Sequence, residues 1–167
     1  MEFTEIAPRE LKENIFNTLT KDWMLLTVEG EGVVNTMTVG WGGIGVMWGK
    51  DVVFVVVRPE RYTHKLLETA ETFSLSAFDG SYKKQLGYCG SVSGRVENKI
   101  EKCGFTLQRC GATPYIAESR LTFVCRKLTA TDFAPEHFLG NTEITDKWYG
   151  GGYHTLYVAE IETLLSR

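Results

Sequence analysis

Residues 52–58, VVFVVVR, are almost continuously apolar and β-branched, and Pro59 follows at once. A run this short and this rich in valine reads as a strand, and its lack of polar alternation predicts a strand covered on both faces. Proline has no amide hydrogen to give a ladder, so the strand ends there. Such a strand needs neighbours, and the rest of the chain supplies them. WMLLTVE at 23–29 and VVNTMTV at 33–39 are rich in β-formers and flank Gly30-Glu31-Gly32, a permissive turn, which predicts a hairpin. TFSLSAF at 72–78 alternates, the segment after Pro114 supports one long strand or two successive ones, and YHTLYVAEIE at 153–162 supports another.

Helical signal is confined to short pieces. Leu11, Ile15 and Leu19 make one apolar stripe on a helix over 8–20 that opens with Pro8. Thr63 opens a second helix over 63–71, and weaker helices around YKKQLGY and ENKIEKCG are separated by the Gly/Ser-rich CGSVSGR, a surface or site loop. The expected fold is mainly β: a closed or half-closed antiparallel barrel with a few peripheral α-helices, in one domain spanning residues 1–167.

Charge narrows the function. A formal net charge of −3, without clustered Lys and Arg, gives no reason to bind nucleic acid or an anionic membrane, so any phosphate recognition must be local. MEFTEIAPRE lacks the apolar core of a secretory signal and no stretch is long enough to span a bilayer, which predicts a cytoplasmic protein. Cys89, Cys103, Cys110 and Cys125 show no ligand-like spacing with one another or with His64, His137 and His154; they read as free thiols, and no metal site is expected.

Three constellations could carry chemistry. Gly40, Gly42 and Gly45 match GxGxxG, but a dinucleotide needs that spacing between a strand and a helix, and here another strand follows. The glycines either bend a barrel strand or let a flat ligand lie against backbone. In Arg58-Pro59-Glu60-Arg61-Tyr62-Thr63, two guanidinium groups, a phenol and a hydroxyl converge on a helix N-terminus, a credible phosphomonoester site; the plainer reading is a Thr cap beside solvated arginines. Trp41, Trp48, Trp148, Tyr149 and Tyr153 could stack a planar cofactor or simply fill core and interface. No local pattern supports Cys89 and His154 as a nucleophile and base.

Taken together, NTMTVGWGGIG at 35–45, VRPERYTHKLLE at 57–68, FSLSAF at 73–78, YCGSVSGR at 88–95, PYIAESRLTFVCRKL at 114–128 and the closing YHTLYVAEIE resemble the flavin-reductase-like family, flavoredoxin-like members in particular. The resemblance implies an FMN-binding split β-barrel of Greek-key, antiparallel type that forms a homodimer. It implies that Asn35, Thr36, Met37, Thr38 and Trp41 line the isoalloxazine, that Arg58, Tyr62 and Thr63 hold the phosphate, and that Ser76, Ala77 and Phe78 continue the flavin wall. Cys89, Gly90, Ser91 and Ser93 would form a nearby loop, and His154 would face the open side of the flavin as the catalytic residue, where a nicotinamide or another donor arrives. Two departures stand out: Val96-Glu97-Asn98-Lys99 follows SGR where the family has acidic residues, and Ala159 replaces a glycine in the last strand.

The implied function is an FMN-dependent oxidoreductase that takes electrons from NADH or NADPH, or from a small redox protein. A flavoredoxin-type protein-to-protein electron carrier and a non-catalytic flavin-binding barrel are the alternatives, since a fold does not fix a function.

Overall fold

The computed structural model describes residues 2–140 and 142–167. Strand β1 (Thr4–Ile6) leads through a short turn to helix α1 (Ile15–Asn17), which widens into a π-helical turn over Thr18–Asp22. Strands β2 (Met24–Gly30), β3 (Val33–Val39), β4 (Gly42–Met47) and β5 (Lys50–Val57) follow, then helix α2 (Tyr62–Thr69) and β6 (Thr72–Ala77). Helices α3 (Lys83–Ser91) and α4 (Lys99–Lys102) precede the hairpin of β7 (Leu107–Cys110) and β8 (Thr113–Ile116). The chain ends in two long strands, β9 (Leu121–Asp132) and β10 (Thr155–Ser166), with α5 (Thr142–Trp148) between them.

The main sheet runs β3-β2-β6-β9-β10-β5-β4, with β1 added on β10, and every paired strand is antiparallel to its neighbour. Its two outer strands, β3 and β4, are joined by Gly40 and Trp41 alone. From Val39 to Gly42 is three Cα steps, at most ~11 Å, so the edges of the sheet must come back together, and the sheet rolls into a barrel with one seam, the split barrel that the family resemblance implied. Gly42 sits at that seam with φ 150°, and a methyl group there would fall 2.1 Å from the carbonyl oxygen of Phe54; glycine lets β4 close onto β5. Gly40 lies in the link and Gly42 and Gly45 in β4, and β5 follows, so no helix follows the triplet.

Inside the barrel, Leu26, Val28, Val53, Val55, Phe73 and Phe123 form the main core. A second core of Leu25, Phe78, Leu86, Cys89, Ile100 and Ile116 lies under α3 and α4.

Three local expectations change. The stripe of Leu11, Ile15 and Leu19 packs on the main core, but across a loop, one helical turn and a π-turn rather than a single helix. Thr63 does not cap α2, because its hydroxyl accepts from the Asn35 amide at 2.9 Å; Arg61 holds the cap position instead. One face of β5 is core, but on the other Phe54 and Val56 are only half-buried. No helix among the described residues is long and apolar enough to cross a membrane.

Candidate functional site

At the seam lies a cleft of about 290 Å3, bounded by Met37, Thr38 and Val39 of β3, by Gly40 and Trp41, by Val56 of β5, and by Arg58, Arg61, Trp148 and His154. Val56 is half-buried because it forms part of this wall. The indole of Trp41 meets that of Trp148 edge-on at 4.9 Å, so the end of α5 folds over the seam. Arg58 holds it there: its guanidinium donates to the Trp148 carbonyl at 2.5 Å, lies 5.4 Å above the Tyr149 ring, and faces the Glu60 carboxylate at 3.6 Å. His154, 7% exposed, enters the cleft just before β10, with Nδ1 2.8 Å from the Tyr149 hydroxyl. Burial, helped by Arg58 and Arg61 and opposed by Glu60, pushes its imidazole down to about 4, so it is uncharged at neutral pH.

Arg61 and Met37 also border a second cavity of about 190 Å3, which continues the first. Its other walls are Asn35, the residues from Glu60 to Thr63 at the positive end of α2, Ser91 at the end of α3, the loop that follows it through Gly94, and Lys99 of α4. Together the two cavities reach the size of small-molecule sites, ~300–1,000 Å3. The loop approaches β3 so closely that a methyl group on Gly94 would sit 2.1 Å from Oδ1 of Asn35. Arg61 donates to the Gly90 carbonyl at 2.7 Å, and Arg95 lies 4.9 Å from the Tyr62 ring.

The charge balance of this second cavity is unusual. Lys99 is 3% exposed, and its ammonium donates to the Cys89 carbonyl at 2.8 Å. Burial and the neighbouring Arg61 lower its pKa. Among the described residues neither Lys99 nor Arg61 has a carboxylate within ion-pair distance, and the one carboxylate in the wall, Glu60, faces Arg58. Two cations, one of them buried, thus border a cavity lined also by Thr63, Ser91 and Ser93, whose one wall carboxylate, Glu60, is paired with Arg58. Burying an uncompensated charge is costly, and an anion placed here would relieve that cost.

Of the residues named from sequence, Met37, Thr38, Trp41, Arg58 and His154 line the first cavity, and Asn35, Met37, Tyr62, Thr63, Ser91 and Ser93 the second. Cys89, Gly90 and Ser91 form the last turn of α3 rather than a loop, and Gly90 adjoins the site through the Arg61 bond and its close approach to Thr38. Arg58 is separated from Tyr62 and Thr63, and Arg61 takes the place between them. Thr36 points the other way, its hydroxyl 3.0 Å from that of Thr27. Ser76, Ala77 and Phe78 are not brought to the cleft: β6 is an inner strand between β2 and β9, Ser76 bonds to Thr122 at 3.0 Å, and Phe78 packs on Tyr82 and Phe105. The Cys89 thiol is fully buried, raised to about 12 chiefly by burial, and 3.8 Å from the Cys103 sulfur; only its carbonyl reaches the site, through Lys99. Lys99 was not singled out from sequence. No cluster of His, Cys, Asp and Glu among the described residues could hold a metal ion.

The model of the flavin reductase like domain matches residues 16–165. An uncharacterised protein of Archaeoglobus fulgidus is 27% identical over 138 residues, covering 81% of this chain and 67% of that protein. A second relative is spanned over only 37% of its length. Among solved structures, flavoredoxin from Methanosarcina acetivorans superposes with a TM-score of 0.71 at 23% identity, covering 94% of this chain and 75% of that one. An FMN-binding protein from Thermus thermophilus with bound p-hydroxybenzaldehyde gives 0.69 at 21% identity, covering 100% and 82%.

Proposed function

The chain belongs to the flavin reductase like domain family, and on that premise we propose that it is an oxidoreductase that binds one noncovalent FMN across the two cavities and passes electrons through it. The observation that carries this reading is the pair of Arg61 and Lys99, which have no carboxylate partner among the described residues and border one small cavity beside hydroxyl groups. A phosphomonoester supplies the counter-charge that Arg61 and Lys99 lack, and its oxygens accept what guanidinium, ammonium and hydroxyl groups donate. These residues fit FMN better than an uncharged flavin.

When bound, FMN supplies the electron chemistry, exchanging one or two electrons between a donor and an acceptor. The chain's own residues orient it and exclude water. Arg61, Lys99 and Thr63 would hold the phosphate, Met37 bridges the two cavities, and Trp41, Trp148 and Val56 offer an apolar wall to a planar ring. His154 stays uncharged at the cleft and contributes a hydrogen bond rather than a mobile proton.

The proposed donor is NADH or NADPH, arriving on the His154 side. A flavoredoxin-type carrier is the second reading, favoured by the indoles of Trp41 and Trp148, which stand 43% and 44% exposed at the rim where another redox protein could dock. Anaerobic absorption spectra of the FMN-loaded protein separate the two. Bleaching of the flavin band by NADH or NADPH supports the reductase. Bleaching by a reduced small redox protein but by neither nucleotide supports the carrier, and a protein that takes up no FMN contradicts both. We also propose a homodimer, with the apolar outer side of β4 as its contact.

A further inference from the structure

His154 combines burial with an unused ring nitrogen. Nδ1 meets the Tyr149 hydroxyl at 2.8 Å, whereas Nε2 has no hydrogen-bond partner among the described residues. A proton between a phenol and an imidazole lies on the oxygen, because the phenol is the stronger acid and the imine nitrogen the better acceptor. The Tyr149 hydroxyl also has no other acceptor among the described residues, so the reverse bond would leave its proton without a protein partner.

Tyr149 is itself held in place. Its ring stacks on Tyr153 at 4.6 Å, touches Phe138 at 5.6 Å, and lies under the Arg58 guanidinium. We propose that Tyr149 is a positioning residue: it donates to Nδ1, keeps the His154 proton on Nε2, and makes the first cavity a hydrogen-bond donor site for the carbonyl oxygen of a planar conjugated ring.

The rest of the cavity fits that ligand. Trp41, 5.3 Å from the imidazole, stands with Trp148, Val56 and Met37 as walls for a flat ring. Arg58 already serves the Trp148 carbonyl and Glu60, and Nε2–H is a donor unpaired among the described residues, on the His154 side of the cavity. Arg58 and Arg61 oppose a second proton on the ring more than Glu60 favours one, and burial opposes it most, so the single-proton form persists at neutral pH. The ligand half of this proposal rests on the cleft being a flavin site; the tautomer half does not.

Two-bond nitrogen–proton spectra of the full chain, labelled with 15N at histidine, test both halves. His154→Gln assigns the resonances among the three histidines. The expected result between pH 6 and 8 is an imine-type Nδ1 and a protonated Nε2. In Tyr149→Phe, which keeps the ring packing and removes the hydroxyl, the two nitrogen shifts move toward each other as the tautomers mix. A protonated Nδ1 in the natural protein, or an unaltered pattern in Tyr149→Phe, overturns the lock.

Adding FMN, and then nicotinamide to the FMN-loaded protein, identifies the oxygen. A downfield shift of the Nε2 proton with FMN assigns it to the isoalloxazine, and a shift that waits for nicotinamide assigns it to the incoming ring. No shift with either overturns the donor site. Flavin fluorescence in the same samples reports FMN binding independently. A locked tautomer in a protein that binds no FMN removes the flavin reading and the ligand half, and leaves the tautomer established.

Discussion

Lys99 is the residue whose environment says most about the site, because a buried ammonium with only a carbonyl partner is tolerated at a cost and becomes favourable once an anion arrives. Lys99→Met keeps the stem and removes the charge. It is expected to weaken FMN binding by about 1–3 kcal/mol, the loss of one charge-assisted hydrogen bond, with riboflavin binding unchanged. Fluorescence-quenching titrations of both flavins check it. Arg58→Ala is expected to lower the preference for FMN over riboflavin less, since that guanidinium serves Trp148 and Glu60. His154 makes a pH prediction. Its pKa is about 4 in the folded chain and ~6.5 when unfolded, so between these values the unfolded state binds the proton more readily. Its contribution is complete above pH ~6.5 and is lost as pH falls toward 4, up to about 3 kcal/mol. Denaturant titrations should show that His154→Gln lacks this component; parallel pH profiles for the two proteins would contradict the burial. At this scale the sequence was half legible. Arg61 sat visibly in RPERYT, whereas Lys99 entered only as part of the departure after SGR, because its burial depends on where α4 docks and no local pattern encodes that.

The strands were readable because their signals are local: β-branched runs, alternation, and the Glu31-Gly32 turn, where both residues have positive φ. The first helix was misjudged because a stripe at every fourth residue records which side chains meet the core, not which hydrogen bonds the backbone makes between them. Ser76, Ala77 and Phe78 illustrate the same limit, since only the sheet order shows that β6 lies inside. The loop after α3 carries the prediction of this scale. Asn35 is buried and donates to Thr63, so its side chain cannot swing aside for a methyl group on Gly94. Gly94→Ala is expected to push the loop off β3, spread the second cavity and reduce FMN affinity at least tenfold. A Gly94→Ala protein with unaltered FMN affinity would place the phosphate away from this loop.

Over the whole molecule, the seam that closes the barrel also creates the site, since the Gly40-Trp41 link that joins the edges of the sheet forms part of the cleft wall. The outer side of that seam bears on assembly. Ile44, Val46 and Trp48 are 38%, 63% and 63% exposed along β4 and its turn, an apolar row on an edge strand of the kind that association covers. Sedimentation at micromolar concentration is expected to give twice the 18.8 kDa chain mass, and Trp48→Glu to shift the protein toward the single chain. A natural protein that sediments only as one chain would contradict the dimer. The central claim is that the cleft is built for a flavin with a phosphate. Its most direct test is the ratio of the dissociation constants of riboflavin and FMN on the purified, flavin-free chain. With Arg61 and Lys99 both engaged, FMN is expected to bind at least a hundredfold more tightly, and the ratio to fall steeply in Lys99→Met; equal constants for the two flavins would contradict the account.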